Sequence, residues 1–231
     1  MIKTTVKMSR FFDALDAYSQ GSKKSWETLF LKQCEQIGKQ IIKVTPPMQA
    51  NRLGKDSFAT AKKRGQAAVQ SDILRVFSPF NENFASRFHG KAVVKFEWDM
   101  ERIHMQNRVR GRVKGKVRDI PAEQDILTAY IKRKKKMVGY LASGWNSLIG
   151  KAKVTGIPNW IKDKNAGGAA QIVASDRILK FLATNSARFA SNLRGIERYM
   201  QIAVDQQAIN LWKQVRRNQE RLQARMTART K

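Results

Sequence analysis

The stretch IERYMQIAVDQQAINLWKQVRRNQERLQARMTA, Ile196 to Ala228, holds the longest periodic pattern in the chain. Ile196, Tyr199, Met200, Ala203, Val204, Ala208, Leu211, Trp212, Val215 and Leu222 recur at three- and four-residue steps, which gathers them on one stripe of an α-helix. If it is continuous to Ala228, that helix spans roughly 50 Å at 1.5 Å per residue. Its far end carries Arg216, Arg217, Arg221, Arg225 and Arg229, more positive charge than the negative pole of a helix dipole calls for.

Working outward, the same period predicts a helix from Lys23 to Ile42 on Trp26, Leu29, Phe30, Ile37, Ile41 and Ile42, stopped by Thr45, Pro46 and Pro47. Residues Asn51 to Arg64 read as a basic loop that feeds a second helix, Gly65 to Phe77, with a stripe of Ala68, Val69, Ile73 and Val76. Ala92 to Trp98 reads as a short strand, and the rest of residues 80–107 shows no clean period. Pro121 suits the first position of a helix continued by Ile126, Leu127, Tyr130 and Ile131. A further helix is predicted over Val138 to Ile149 with Trp145 on its buried side. Gly150 to Gly168 is turn chemistry around Trp160, and Gln171 to Ala174 with Ile178 to Ala183 predict a hairpin. No repeat or Gly/Ser linker divides the chain, so one mixed domain is expected across residues 1–231, with a basic excursion at about 99 to 120.

That excursion contains RVRGRVKGKVR, residues 108 to 118. Arg108, Arg110, Arg112, Lys114, Lys116 and Arg118 alternate with valine or glycine, and in an extended backbone the two-residue period places all six cations on one face. A second basic run, Lys132, Arg133, Lys134, Lys135 and Lys136, ends the helix that follows, and Lys62, Lys63 and Arg64 form a third. Lysine and arginine also guard exposed strand edges against aggregation, but six in strict register exceed that need.

Composition points the same way. The chain has 231 residues, 45 Lys plus Arg against 18 Asp plus Glu, and a formal net charge of +27, so an anionic neighbour is expected: nucleic acid first, then an acidic protein surface or an anionic membrane. With 42% apolar residues there is material for a real core. The single cysteine, Cys34, excludes an intrachain disulfide, and His89 and His104 lack the spacing of metal ligands, so neither a metal nor a cofactor is expected. Asp13, Asp16, Asp72, Asp99, Glu101, Asp119 and Asp125 show no two-metal spacing, and no nucleophile triad or phosphate-cradling glycine loop occurs; a non-enzymatic protein is expected. No apolar run of membrane-spanning length and no secretory signal pattern are present, which predicts a soluble protein of a reducing cytoplasm. Three of the five tryptophans lie on apolar stripes or beside turns, and core packing is expected of them rather than base stacking.

LASGWNSLIG (141–150), IPNWI (157–161) and LKFLATNSARFASNLRGIERYMQIAVDQQ (179–207), with Thr45-Pro46-Pro47 and AKKRGQAAVQSDILRVF (61–77) before them, give the chain a family likeness. It resembles the minor-tail or tail-completion (neck) proteins of long-tailed bacteriophages. The resemblance implies an α+β fold, a small antiparallel sheet packed by several helices, together with the long C-terminal helix and the basic arm or hairpin insertion. It implies no catalytic residues. It further implies an oligomeric ring in the virion, at the head–tail junction between portal-connector and tail-tube or tail-terminator proteins, assembled in the bacterial host cytoplasm. The basic residues from Arg108 to Arg118 and Lys132 to Lys136 would then face genomic DNA or acidic neighbouring subunits, without sequence preference and without membrane contact. The alternative is a free-standing, sequence-independent nucleic-acid-binding protein such as a nucleoid or packaging factor.

Overall fold

The computed structural model describes residues 9–22, 25–48, 57–88, 90–109, 112–113, 119–175, 178–187 and 196–229. The fold is α+β: mostly helical, with small two-stranded sheets and a long C-terminal helix. It comprises two compact units, one from Met1–Phe58 with Gly139–Lys231, the other from Ala59–Val138. The basic excursion at 99 to 120 falls within the second.

In the first unit, helices α1 (Ser9–Ser22) and α2 (Trp26–Val44) pack on α9 (Ile196–Arg229). Ser25 caps α2 by accepting the Thr28 N–H, and Glu27 and Lys43 sit at the ends of the helix where the dipole favours their charges. Three short helices follow, α6 (Tyr140–Ser143), α7 (Asn146–Lys151) and α8 (Asn159–Lys162). The predicted helix over 138–149 is therefore broken. Gly139 takes a left-handed conformation (φ 96°) with the Trp160 ring against it, and Gly144 forms the second break.

Strands β5 (Gly168–Ser175) and β6 (Ile178–Asn185) form the predicted hairpin, longer than expected at both outer ends. Its register pairs Ala170 with Ala183 and Ile172 with Phe181, and these residues pack against the core while Gln171 and Leu182 point outward. The core gathers Phe11, Leu15, Phe30, Ile37, Trp145, Leu148, Ile161 and Leu211, all essentially buried. Each such side chain contributes about 1.5 to 3 kcal/mol by leaving water. Trp145 solves its one polar obligation by donating Nε1–H to Thr45 Oγ1 at 3.0 Å, and Thr45 in turn donates to the Ile41 carbonyl at 2.8 Å.

The second unit holds α3 from Ala59 onward (the helix runs Phe58–Leu74), β1 (Phe77–Pro79), a 3-10 turn (Glu82–Phe88), α4 (Glu97–Gln106), β2 (Arg108–Val109), β3 (Arg112–Val113), β4 (Ile120–Ala122) and α5 (Gln124–Lys136). Four expectations are corrected here. Lys62 to Arg64 lie on α3 and not in a loop, and Ala68 of the predicted stripe is exposed, its place on the buried face taken by Ala61. Ala92 to Trp98 is not a strand: Val94 makes a single bridge to Ala122, and a helix begins at Glu97, with Glu97 and Asp99 favoured by its N-terminal dipole. Pro121 lies in β4, where it needs no N–H: its carbonyl accepts from Val94 N–H at 2.9 Å, and α5 starts three residues later. The β1–β4 pair is parallel, whereas β2–β3 and β5–β6 are antiparallel. The core of this unit is Ile73, Val76, Phe77, Met100, Val113, Ala122, Leu127 and Tyr130.

Candidate polyanion-binding surface

The first basic candidate begins as a hairpin, one of the two forms expected of it. Arg108 pairs with Val113 and Val109 with Arg112, leaving a two-residue connection. Residues directly opposite in an antiparallel pair share a face, so the side chains of Arg108 and Val113 lie on one face of this short pair. The side chain of Arg112, and all of Arg110, Lys114, Lys116 and Arg118, lie outside the described residues.

What anchors the hairpin is Asp72, on the last turn of α3. Its Oδ1 accepts the Val113 N–H at 2.8 Å, its Oδ2 lies 3.1 Å from His104 Nε2, and the Arg108 guanidinium Nε comes within 3.3 Å of Oδ2. On the other side of the imidazole, His104 Nδ1 is 3.0 Å from the Tyr130 hydroxyl. A carboxylate can only accept, so neutral His104 carries its proton on Nε2 and takes the Tyr130 O–H at Nδ1. Burial holds the His104 imidazole below its ordinary range, with Arg108 and Lys134 adding to the effect and Asp72 opposing it. Burial likewise pushes the Tyr130 phenol up. Arg108 thus acts as an internal counter-charge and is only partly exposed.

The second candidate divides into two faces of α5. Arg133 pairs with Glu97 at 2.7 Å and Glu101 at 3.1 Å, and Lys134 with Glu101 at 2.5 Å, both cations lying 5.3 to 5.4 Å from the Tyr130 ring centroid. The hydrogen bond from Lys134 is the largest cause of a lowered Glu101 pKa. These two cations join α4 to α5. Lys132, Lys135 and Lys136 take the other face with Gln66 and Gln70 of α3, Thr128 and Ile131, around a groove of about 420 Å³. Lys135 Nζ donates to Gln70 Oε1 at 2.5 Å, and among the described residues no carboxylate lines this groove. Of the third run, Lys63 is exposed and Lys62 half-buried on α3.

Sequence patterning located the charge but not the acids that answer part of it. Glu97, Glu101 and Asp72 are remote in sequence from Arg133, Lys134 and Arg108, and only folding joins them.

Two tryptophans are exposed, and of these Trp212 departs from the apolar stripe predicted to hold it. Trp98 is 65% exposed and stacks on Phe96, itself 57% exposed, at 6.1 Å between centroids; Trp212 is exposed on α9. His89 and the side chain of Trp26 lie outside the described residues. Among the described residues no group of three or more His, Cys, Asp or Glu could hold a metal ion, and no helix is long and apolar enough to cross a membrane. Cys34 is buried, its thiol pushed up to about 12, which removes the thiolate a nucleophile would need. No family model, curated protein or solved structure matches the chain.

Proposed function

We propose that this protein is a non-enzymatic structural component of a tailed-phage virion, an oligomeric ring at the head–tail junction whose basic surfaces face DNA or acidic neighbouring subunits. The observation that carries the polyanion-facing part is one face of α5: Lys132, Lys135 and Lys136 line a groove without a carboxylate among the described residues, in a chain of net charge +27. The placement at a neck rests on the resemblance of residues 141–150, 157–161 and 179–207 to tail-completion proteins. Mechanism here is geometric. Helix α9, 34 residues and about 51 Å long, has no buried residue among those described beyond Val215, so its basic continuation is available to a neighbouring subunit.

The test is interruption of the gene in a lysogen or lytic stock that carries it. Negative-stain microscopy then shows filled heads and separate tails, restored to joined particles when the protein is supplied. Joined particles without the protein contradict the reading, and favour a sequence-independent nucleic-acid-binding factor if the purified chain binds duplex tightly with a steep salt dependence.

A further inference from the structure

Within the first unit, α1, α2 and α9 enclose a groove of about 540 Å³, to which the basic end of α9 contributes Arg217. Its α2 wall carries Lys32, Gln36 and Gln40, each one turn beyond the last, about 6 Å apart along the axis. Its α9 wall carries Asn210, Lys213, Gln214 and Arg217, again at three- and four-residue steps that place them on one stripe. Tyr18 lies at one side. The floor is the buried pair Gln33 and Gln207, where Gln207 Nε2 donates to Gln33 Oε1 at 2.6 Å.

Among the described residues no carboxylate lines this groove. Three acids of the same helices have partners of their own: Asp16 accepts from Gln20 at 3.1 Å, Glu35 from Thr155 at 2.9 Å and Asp205 from Gln201 at 2.9 Å. Among the described residues Lys32, Lys213 and Arg217 form no ion pair, in contrast to Arg133 and Lys134 of α5. Three cations thus face one another across amide side chains, an arrangement whose self-repulsion an anion relieves. Amides add neutral donors for phosphate oxygens and acceptors for sugar or base N–H and O–H groups, which a patch built only to attract acidic side chains does not need.

We infer that this amide-lined groove binds the phosphodiester backbone of a nucleic-acid strand, with Lys32, Lys213 and Arg217 on phosphates and the glutamines bridging between them. The inference rests on the reading of the chain as a polyanion-facing protein and names where a contact is made. A strand unpaired along its length and one strand of a duplex present the same backbone; the probes below separate them.

The experiment uses the full chain and fluorescence anisotropy with a labelled 15-nucleotide thymidine oligonucleotide, a duplex of the same length and a 15-residue polyglutamate. Lys32→Gln, Lys213→Gln and Arg217→Gln are combined in one variant. A second variant with the same charge change, Lys151→Gln, Lys162→Gln and Lys180→Gln, removes three exposed cations of the same unit away from the groove. The groove variant is expected to lose about tenfold or more in affinity for the single strand, the duplex or both, with the salt slope falling by roughly two for single strands, while the control stays within about twofold. A third variant, Lys213→Arg with Arg217→Lys, keeps the charge and is expected to retain binding. Equal losses in the groove and control variants overturn the inference, as does tighter binding of polyglutamate that only the groove variant weakens. The head–tail reading fails separately: a groove variant that loses the oligonucleotide, in particles that join normally without the protein, sinks that reading and leaves the groove standing.

Discussion

Asp72 Oδ2 and His104 Nε2 lie 3.1 Å apart, and this contact closes a buried chain running from the Tyr130 hydroxyl through the imidazole to the carboxylate that also holds the Val113 N–H. The first basic candidate is thereby tied to the core of its own unit. Asp72→Ala leaves a buried backbone donor, an imidazole N–H and the Arg108 guanidinium without their acceptor, and is expected to destabilise the protein by about 2 to 4 kcal/mol in urea unfolding. Asp72→Asn, which keeps one acceptor oxygen, loses less.

The same chain sets a pH dependence. Because the folded protein holds the His104 pKa below its ordinary value near 6.5, the unfolded chain binds more protons once the pH falls under that value. Stability from this site is complete above about pH 6.5, declines as the pH falls toward the depressed folded value, and then levels off. Glu101 and Asp119, both lowered, the first chiefly by the Lys134 hydrogen bond and the second by Ser78, add their own loss only below the ordinary carboxylate range. Urea midpoints of wild type and His104→Gln between pH 5 and 8 separate the two windows: the variant is expected to be less stable at pH 8 and to show a flatter slope below pH 6.5. Parallel slopes would contradict the assignment.

Gly144 is fixed by its neighbour. A Cβ there would stand 1.9 Å from Asn185 Oδ1, and Asn185 cannot retreat because it donates to the Leu141 carbonyl at 2.8 Å and accepts the Ala187 N–H at 3.0 Å. Gly144→Ala is expected to cost about 2 to 3 kcal/mol, a fall of roughly 5 to 10 °C in Tm. In the Asn185→Ala background the added methyl group is expected to cost much less, and calorimetry of the four proteins of that cycle measures the difference.

The two faces of α5 should separate stability from binding. Neutralising Lys132, Lys135 and Lys136 to Gln is expected to leave Tm within about 2 °C and to lower the slope of log affinity for duplex DNA against log salt by up to about three. Arg133→Gln with Lys134→Gln breaks the partly exposed pairs to Glu97 and Glu101 and is expected to cost a degree or several in Tm with a smaller change in slope. Salt titrations of both variants beside thermal melts check this division.

Long, strongly periodic elements were legible in the sequence: α2 and the buried stripe of α9 follow from the spacing of Leu29, Phe30 and Ile37 and of Val204, Ala208 and Leu211. So did the β5–β6 hairpin. Helix α1 was not assigned, although Phe11, Ala14, Leu15 and Tyr18 recur at the same three- and four-residue steps and pack into the core beside α9. The start of α3 was hidden because lysines and arginines that suit a helix surface resemble a basic loop. The basic stretch left an arm and a hairpin both open. Strict alternation predicts an uninterrupted strand, whereas Asp72, more than thirty residues earlier, captures Val113 and the chain turns between Val109 and Arg112. Of the amide groove only Arg217 stood in a basic run, and Gln33 and Gln207 meet only after 174 residues of separation.

The most direct test of the central claim is a density map of the assembled particle with this chain located in it. The account predicts Lys132, Lys135 and Lys136, and the groove of Lys32, Lys213 and Arg217, against the genome or an acidic protein surface. A map that leaves both faces in open solvent would contradict it.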